Sequence, residues 1–423
     1  MSNVVDVIAP ARLGRNFRWL LASSWTTNLG DGVAIAAGPL LVASLTRNPF
    51  LISLSALLRW APPLIFGLYA GVLSDRHNRR RIVMAADGSR ALILVAVVLA
   101  LAAGRLTAIE AVTALGLLAT AEVFADNTSV TLAPMLVSRD DLVVANARLQ
   151  TGFITMNQLV GPPIGAALFA AGRAWPFASE AVVVVAGVLL VSRIVLPTAD
   201  AAHAEAGRPS ILRDIVEGIR WTAHHAAVRT LVLTILIFNV TFGAAWSLLV
   251  LYAQERLGLG AIGFGLLTTV SAAGGLVGTV LYGWITRRVS LGNVMRVGLI
   301  IETLTHLGLA ITKSPWLASS IFFVFGAHAF IWGTTSVTVR QRAVPSHLQG
   351  RVTSVNTIGV FGGLVVGSAI GGVLASHFGV TAPFWFAFVG SAIFLVLLWR
   401  ELTRIAHGDD TAAVESAPEV SVG

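Results

Sequence analysis

G-V-L-S-D-R-H-N-R-R-R, residues 71–81, stands between two long apolar runs, 51–74 and 82–103. A carboxylate, Asp75, lies at the end of the first run, and a knot of arginines follows at once. Arginines collect where helices leave a bilayer on the cytoplasmic side, which accounts for Arg76, Arg79 and Arg80. It does not account for Asp75 at the rim, or for Gly71 one turn earlier.

The surrounding chain is 56% hydrophobic and only 12% charged over 423 residues. Soluble domains carry roughly 25% charged residues, so this is a polytopic, all-helical membrane protein. Windows of about 20 apolar residues fall at 17–44, 51–74, 82–103, 107–128, 146–171, 175–197, 229–253, 262–286, 291–312, 315–340, 350–376 and 381–400. These make twelve spans. One longer polar stretch, 198–228, separates six from six. Its start is linker-like, and from Ile211 to His225 it places Ile211, Ile215 and Ile219 on one face, as an amphipathic helix lying in the interface does. The expected division is an N-terminal bundle 1–197, a cytoplasmic linker 198–228, a C-terminal bundle 229–404 and a disordered tail 405–423.

The net charge of +8 is spread through short loops. Nucleic-acid binding needs it gathered on one solvated face, whereas dispersed loops suit an anionic lipid surface. With both termini in the cytoplasm, the outer loops hold only Arg47, Arg105, Arg173, Arg256 and Lys313 of the 29 basic residues, and this bias fixes the orientation. The chain has no cysteine, so it has no disulfide or thiol chemistry. It has no G-x-x-x-x-G-K-S/T phosphate loop for ATP hydrolysis. His224-His225 lacks spaced partners for a metal. No cofactor is expected.

A repeat supports the division into halves. G-P-P-I-G-A-A-L at 161–168 aligns with G-S-A-I-G-G-V-L at 367–374. Parallel half-repeats occur in transporters built from two six-helix bundles.

The spacing G-x-x-x-D-R-x-x-R-R at 71–80 resembles the loop between the second and third helices of the major facilitator superfamily. Asn78 stands where that pattern usually has glycine, and asparagine tolerates a left-handed turn. The resemblance implies two pseudo-symmetric six-helix bundles in a bacterial inner membrane. It also implies that Gly71 permits close helix approach and that Asp75, with Arg79 and Arg80, holds an inner gate. Gly161-Pro162-Pro163-Ile164-Gly165 resembles the G-P-x-x-G-G core typical of drug–proton antiporters, with Ala166 in place of the last glycine. Proline kinks a helix and glycine lets backbones meet. Pro345 to Val352 resembles the P-x-x-L-x-G-R-V run of the subgroup with enterobactin-exporting and macrolide-efflux proteins. The arginine that many antiporters carry in the fourth helix is missing, and Glu122 lies in that region.

Asp31 lies 13 residues beyond Arg18, roughly 20 Å into the bilayer at 1.5 Å per residue. A carboxylate there is costly and marks a functional site. It is the first candidate for proton coupling, with Glu122 and Glu302 next. Arg59 is a candidate to neutralise Asp31 or an anionic ligand, and Asp87 and Arg90 read as a local pair. Trp25, Arg59, Phe242, Trp246, His328, Phe330 and Trp332 are candidates to line a ligand cavity between the bundles. The expected function is proton-coupled efflux of amphipathic small molecules by alternating access, as in multidrug antiport. The expected partners are a small-molecule substrate, protons and the lipid bilayer, with the protein acting as a monomer. The alternatives are siderophore export, flipping of a lipid-like metabolite or, with less support, a membrane enzyme or receptor.

Because the chain has no cysteine, single introduced thiols report its topology. Arg47→Cys and Arg256→Cys should react with a membrane-impermeant maleimide applied outside, and His77→Cys and Arg208→Cys should not. Outside labelling at 208 would reverse the orientation.

Overall fold

The structure is a computed structural model, and it describes residues 10–196 and 211–402. The expected linker start, 198–210, and the tail 405–423 lie outside the described residues. The described chain is helical, with no strand among the described residues. In order come α1 (Gly14–Leu45), α2 (Pro49–Arg76), α3 (Arg79–Ala102), α4 (Ala108–Val130), α5 (Leu142–Gly152), α6 (Gly161–Ala171) and α7 (Trp175–Ser192). After the linker follow α8 (Ile211–His224), α9 (Ala226–Trp246), α10 (Ala261–Thr286), α11 (Leu291–Ile311), α12 (Pro315–Ala343), α13 (Gln349–Phe378) and α14 (Ala382–Leu398). Eleven described segments are long and apolar enough to cross a membrane, with α5 and α6 counted as one. The twelfth, α14, has 17 residues and covers about 26 Å at 1.5 Å per residue.

Helix boundaries follow from capping. Asn48 accepts from the Phe50 N–H ahead of α2, whose first turn carries Pro49. Thr107 and Glu110 form a reciprocal capping box on α4, and Ser290 and Ser314 cap α11 and α12. These side chains satisfy N–H groups that a helix start leaves without partners. Asn78 does the same for α3. Its side chain accepts from the Arg81 N–H at 3.1 Å, and its backbone is extended, with φ −64° and ψ 107°. The left-handed turn considered for this position is therefore not used: asparagine serves as the cap.

Between α5 and α6 the chain widens into a π-helical stretch, Phe153–Val160. Pro162 and Pro163 follow directly in the first turn of α6. They lack the N–H groups that would bond back into the preceding turn, so the regular ladder fails there and the wider turn absorbs the mismatch. The seventh span is shorter than the sequence suggests. It was expected to run to residue 253, but α9 ends at Trp246 and the chain resumes as Leu249–Leu251 and Tyr252–Arg256.

The chain forms two compact units. The first joins 10–196 to Ser247–Thr269, and the second joins 211–246 to 270–402. The first turns of α10 thus pack with the first unit, where Gly265 lies against Ala166.

Each unit is built on a close crossing of glycines with the backbone of its first membrane-spanning helix. In the first unit a Cβ on Gly161 would meet the Gly32 carbonyl carbon at 2.6 Å, and one on Gly32 would meet the Met156 and Asn157 oxygens at 2.7 Å. Gly165 lies equally tight on Val33. In the second unit Gly367 sits against Val240 and Gly371 against Ala244 of α9. The two members of the sequence repeat thus make the same contact, one on α1 and the other on α9. With no hydrophobic drive between helices in lipid, this approach of backbones is a main source of packing energy. Gly71 does not take part: a Cβ there meets nothing within 4 Å, so the close approach expected of it is absent.

Helix α8 packs through the edge that carries Gly218. Gly218 lies on the Arg351 carbonyl, where a Cβ would come within 2.7 Å, and Glu217 pairs with Arg351 at 2.6 Å. Thr222 is buried, whereas Val216 and Ile219 remain about half exposed.

Gly161→Val should destabilise the protein by roughly 3 kcal/mol, the upper end of overpacking costs, because backbone atoms cannot step aside. Gly71→Ala should leave stability within about 0.5 kcal/mol, as surface changes usually do. Thermal unfolding in detergent separates the two, and equal losses would contradict the glycine-crossing account.

Candidate functional site

The same α1 crossing places Asp31. Gly30 and Gly32 flank it: Gly32 admits the backbone before α6, and Gly30 lies 3.3 Å, measured from an added Cβ, from the Glu180 side chain of α7. Asp31 is buried and ion-paired with Nη2 of Arg90 on α3. The Arg90 Nη1 donates to Oδ1 of Asp87 at 3.1 Å, and Nη2 stands 3.5 Å from Oε1 of Glu180. All four side chains are at most 5% exposed. One guanidinium thus holds three carboxylates from three helices. Its Nε and the second oxygen of Glu180 are buried without a hydrogen-bond partner.

Glu122 of α4 is half-buried and lies within electrostatic reach of Arg90, Asp31 and Arg59. Asp126, one turn on, is exposed. Arg59 was considered as the counter-ion of Asp31. Instead its guanidinium stands 5.4 Å from the Trp60 ring centroid, and Arg90 takes the role. The Asp87–Arg90 pair exists, but as one arm of a larger cluster. Glu180 was not singled out from the sequence. The available signal was a lone acid in the apolar run W-P-F-A-S-E-A-V-V-V-V, because an intramembrane carboxylate marks a site by default.

The arginine motif braces helix ends inside the first unit. Arg80 Nη1 donates to the Ile194 carbonyl at 2.7 Å, just past the end of α7. Arg79 donates to the Thr131 carbonyl at 3.3 Å, just past α4, and to the Ser74 carbonyl at 3.2 Å. Cations at helix C-termini offset the dipole and satisfy spare carbonyls. Asp75 pairs with Arg79 at 3.2 Å and is 72% exposed, and Arg76 is exposed.

The antiporter-like residues Gly161, Pro162 and Gly165 are all buried, in the α1 crossing. Trp25 is held in place: its indole N–H donates to the Arg148 carbonyl at 3.1 Å, and its ring lies on Gly152. Phe330 packs on Gly275.

The second unit contains an aromatic ladder. Phe238, Phe242 and Trp246 follow one another along α9, with centroids 6.4 and 4.4 Å apart. Trp332 stacks on Phe238 at 5.5 Å, and Phe325 lies 4.6 Å from Trp246. Trp332 and His328 are buried, whereas Phe242 and Trp246 are partly accessible. Glu302 is fully buried beside this ladder, with His306 and His328.

The sequence matches the model of the family described as transmembrane secretion effector over residues 6–422. It is 28% identical over 390 residues to the multidrug efflux pump Tap of Mycolicibacterium fortuitum, covering 86% of this chain and 90% of that protein. It is 24% identical over 416 residues to the enterobactin exporter EntS of Salmonella typhimurium, covering 95% of each. Among solved structures, a bacterial homologue of the iron transporter ferroportin in an inward-facing state has the same fold. Its TM-score is 0.69 at 16% identity, over 90% of this chain and 98% of that one.

Arg90→Gln would leave three buried carboxylates without their cation. Breaking a buried ion pair costs about 3–5 kcal/mol, so the variant should unfold at a markedly lower temperature in detergent. The deficit should shrink as pH falls, because protons then replace the missing positive charge. A pH-independent loss would mean that Arg90 matters only for packing.

Proposed function

Because the chain belongs to the transmembrane secretion effector family of the major facilitator superfamily, we propose that it exports amphipathic small molecules against their gradient in exchange for protons. It is a multi-pass membrane transporter of the efflux type and not an enzyme. The observation that carries the proton reading is the surplus of acid around Arg90. Fully ionised, Asp31, Asp87 and Glu180 leave the contact cluster with a net charge of −2. Burial of uncompensated charge is costly, so the cluster is most stable when it holds protons and can release them only when water reaches it. Alternation of that access between the two sides of the membrane converts proton binding into a bias on the conformational equilibrium. Glu122 stands next in line to exchange a proton with Asp31.

The partly accessible faces of Phe242 and Trp246 support an amphipathic, aromatic-contacting cargo, since ligand sites are mostly apolar with a few polar anchors. An anionic cargo such as a siderophore draws less support. Arg90, an intramembrane cation that would suit such a cargo, is already engaged by three carboxylates. In this reading Asp75, Arg79 and Arg80 act on the inner gate by setting the ends of α4 and α7, both termini lie in the cytoplasm, and the protein works as a monomer in a bacterial inner membrane.

Asp31→Asn tests the proposal. Arg90 keeps Asp87 and Glu180, so the variant should fold. In vesicles with an imposed pH gradient, a dye such as ethidium should be concentrated by the parent protein. The variant should still bind the dye but not concentrate it. Uphill transport by Asp31→Asn would move the proton site elsewhere, with Glu122 the next residue to test.

A further inference from the structure

The first unit's carboxylates leave unexplained a separate buried group in the second unit. Glu302 and His306 lie one turn apart on α11, with Nε2 of His306 at 2.8 Å from Oε1 of Glu302. From α12, Nε2 of His328 stands 3.6 Å from Oε2 of the same carboxylate, just beyond hydrogen-bond range. Glu302 and His306 are 0% exposed and His328 4%. Oε2 of Glu302, Nδ1 of His306 and Nε2 of His328 all lack a hydrogen-bond partner. Unsatisfied buried polar atoms are rare in native proteins and call for a ligand, a water or a proton.

We propose that Glu302, His306 and His328 form a second proton-binding site, in which one carboxylate bridges two imidazoles. With Glu302 ionised and both imidazoles neutral, the buried group carries a net charge of −1. A proton delivered from hydronium adds to Nε2 of His328 and leaves water behind. The new N–H then points at Oε2, while Nε2–H of His306 already serves Oε1. The group becomes neutral and the imidazolium faces Oε2; the neutral Nε2–H tautomer makes the same approach but leaves the group at −1. Neutralisation and satisfaction of both oxygens are what a buried carboxylate requires.

The surroundings isolate this exchange. Helix α14, packed against α11, contains no titratable residue. On α12 the other titratable groups are Arg340 and Arg342, twelve and more residues beyond His328, roughly 18 Å along the axis. On α11 the remaining one is Arg296, which donates to the Trp399 carbonyl at 2.8 Å. On α9 it is Arg229, bonded to the Ala223 carbonyl at 2.8 Å. On α10, whose Gly278 packs on Ala327 of α12, the titratable residue is Tyr282, and the rings of Trp246 and Phe325 present edge contacts to His306 and His328 at 5.9 and 6.0 Å. Gly298 supplies the space. A Cβ there would meet the His328 ring at 3.0 Å and Trp332 at 2.6 Å. The site therefore depends on one helix crossing, and each imidazole comes from a different helix.

Proton binding is measurable without cargo or transport, so its failure is distinct from failure of the export reading. The protein, labelled at its histidines with carbon-13 and nitrogen-15 and held in lipid nanodiscs, would be titrated by NMR. The signals of His306 and His328 would be assigned by their loss in His306→Gln and His328→Gln. His328 should titrate, and Glu302→Gln should lower its midpoint by about one pH unit or more, the effect of removing a close opposite charge. In His328→Gln the proton should pass to His306 and raise its midpoint by a similar amount. That variant carries the test if Glu302→Gln does not fold. A His328 that stays neutral between about pH 4 and pH 9, or midpoints that ignore both substitutions, would overturn the proposal.

Discussion

One guanidinium in a low-dielectric interior sets the terms for the first unit. Arg90 can be buried only with anions around it, and it draws Asp31, Asp87 and Glu180 from α1, α3 and α7 to one point. Removing water strengthens each attraction and raises the cost of any mismatch. The cluster therefore fixes three helices relative to one another and gathers more carboxylates than cations at one place. A purely apolar interface of the same size would hold the helices without titratable groups.

The glycine crossings make that arrangement possible. Asp31 reaches Arg90 because Gly30 and Gly32 let α7 and the α5–α6 segment close in on α1 on either side of it. The π-helical turn before Pro162 belongs to the same design, since it puts the Met156 and Asn157 carbonyls against Gly32. The second unit repeats the crossing with Gly367 and Gly371 on α9, but it builds different chemistry beside it. It carries a ladder of aromatic rings and a carboxylate bonded to one imidazole and facing a second, in place of an arginine with acids.

The spans, their number and the helical repeat could be read from the sequence, because a bilayer forces apolar length and the 206-residue offset preserves the glycines. Asp31 could be read as well, as a carboxylate deep in an apolar run. Its partner could not. Arg59 and Arg90 are both intramembrane arginines, and which one faces α1 depends on helix rotation, which periodicity in a nearly all-apolar segment does not encode. Glu180 was hidden for the same reason. Gly71 was misread because glycine spacing cannot tell a crossing from an open flank, whereas Gly161 sat in a run with two prolines and a second glycine. Asn78 shows the limit of reading one residue through another: it fills the glycine position by capping a helix. The gap at Trp246, where α9 stops, has no breaker residue to announce it.

The carbonyl contacts of Arg79 and Arg80 separate two things that a basic loop usually does together. Membrane insertion reads only the charge, and lysine would satisfy it as well as arginine. Tying off helix ends uses the shape of the guanidinium, whose planar fork lets Arg79 reach both the Ser74 and Thr131 carbonyls at once. A lysine offers a single mobile ammonium in its place. A chain with lysines at these two positions would therefore enter the membrane the right way round and yet have two of its helices loose at the ends. Correct topology and well-tied helix ends are independent properties of the same eleven residues.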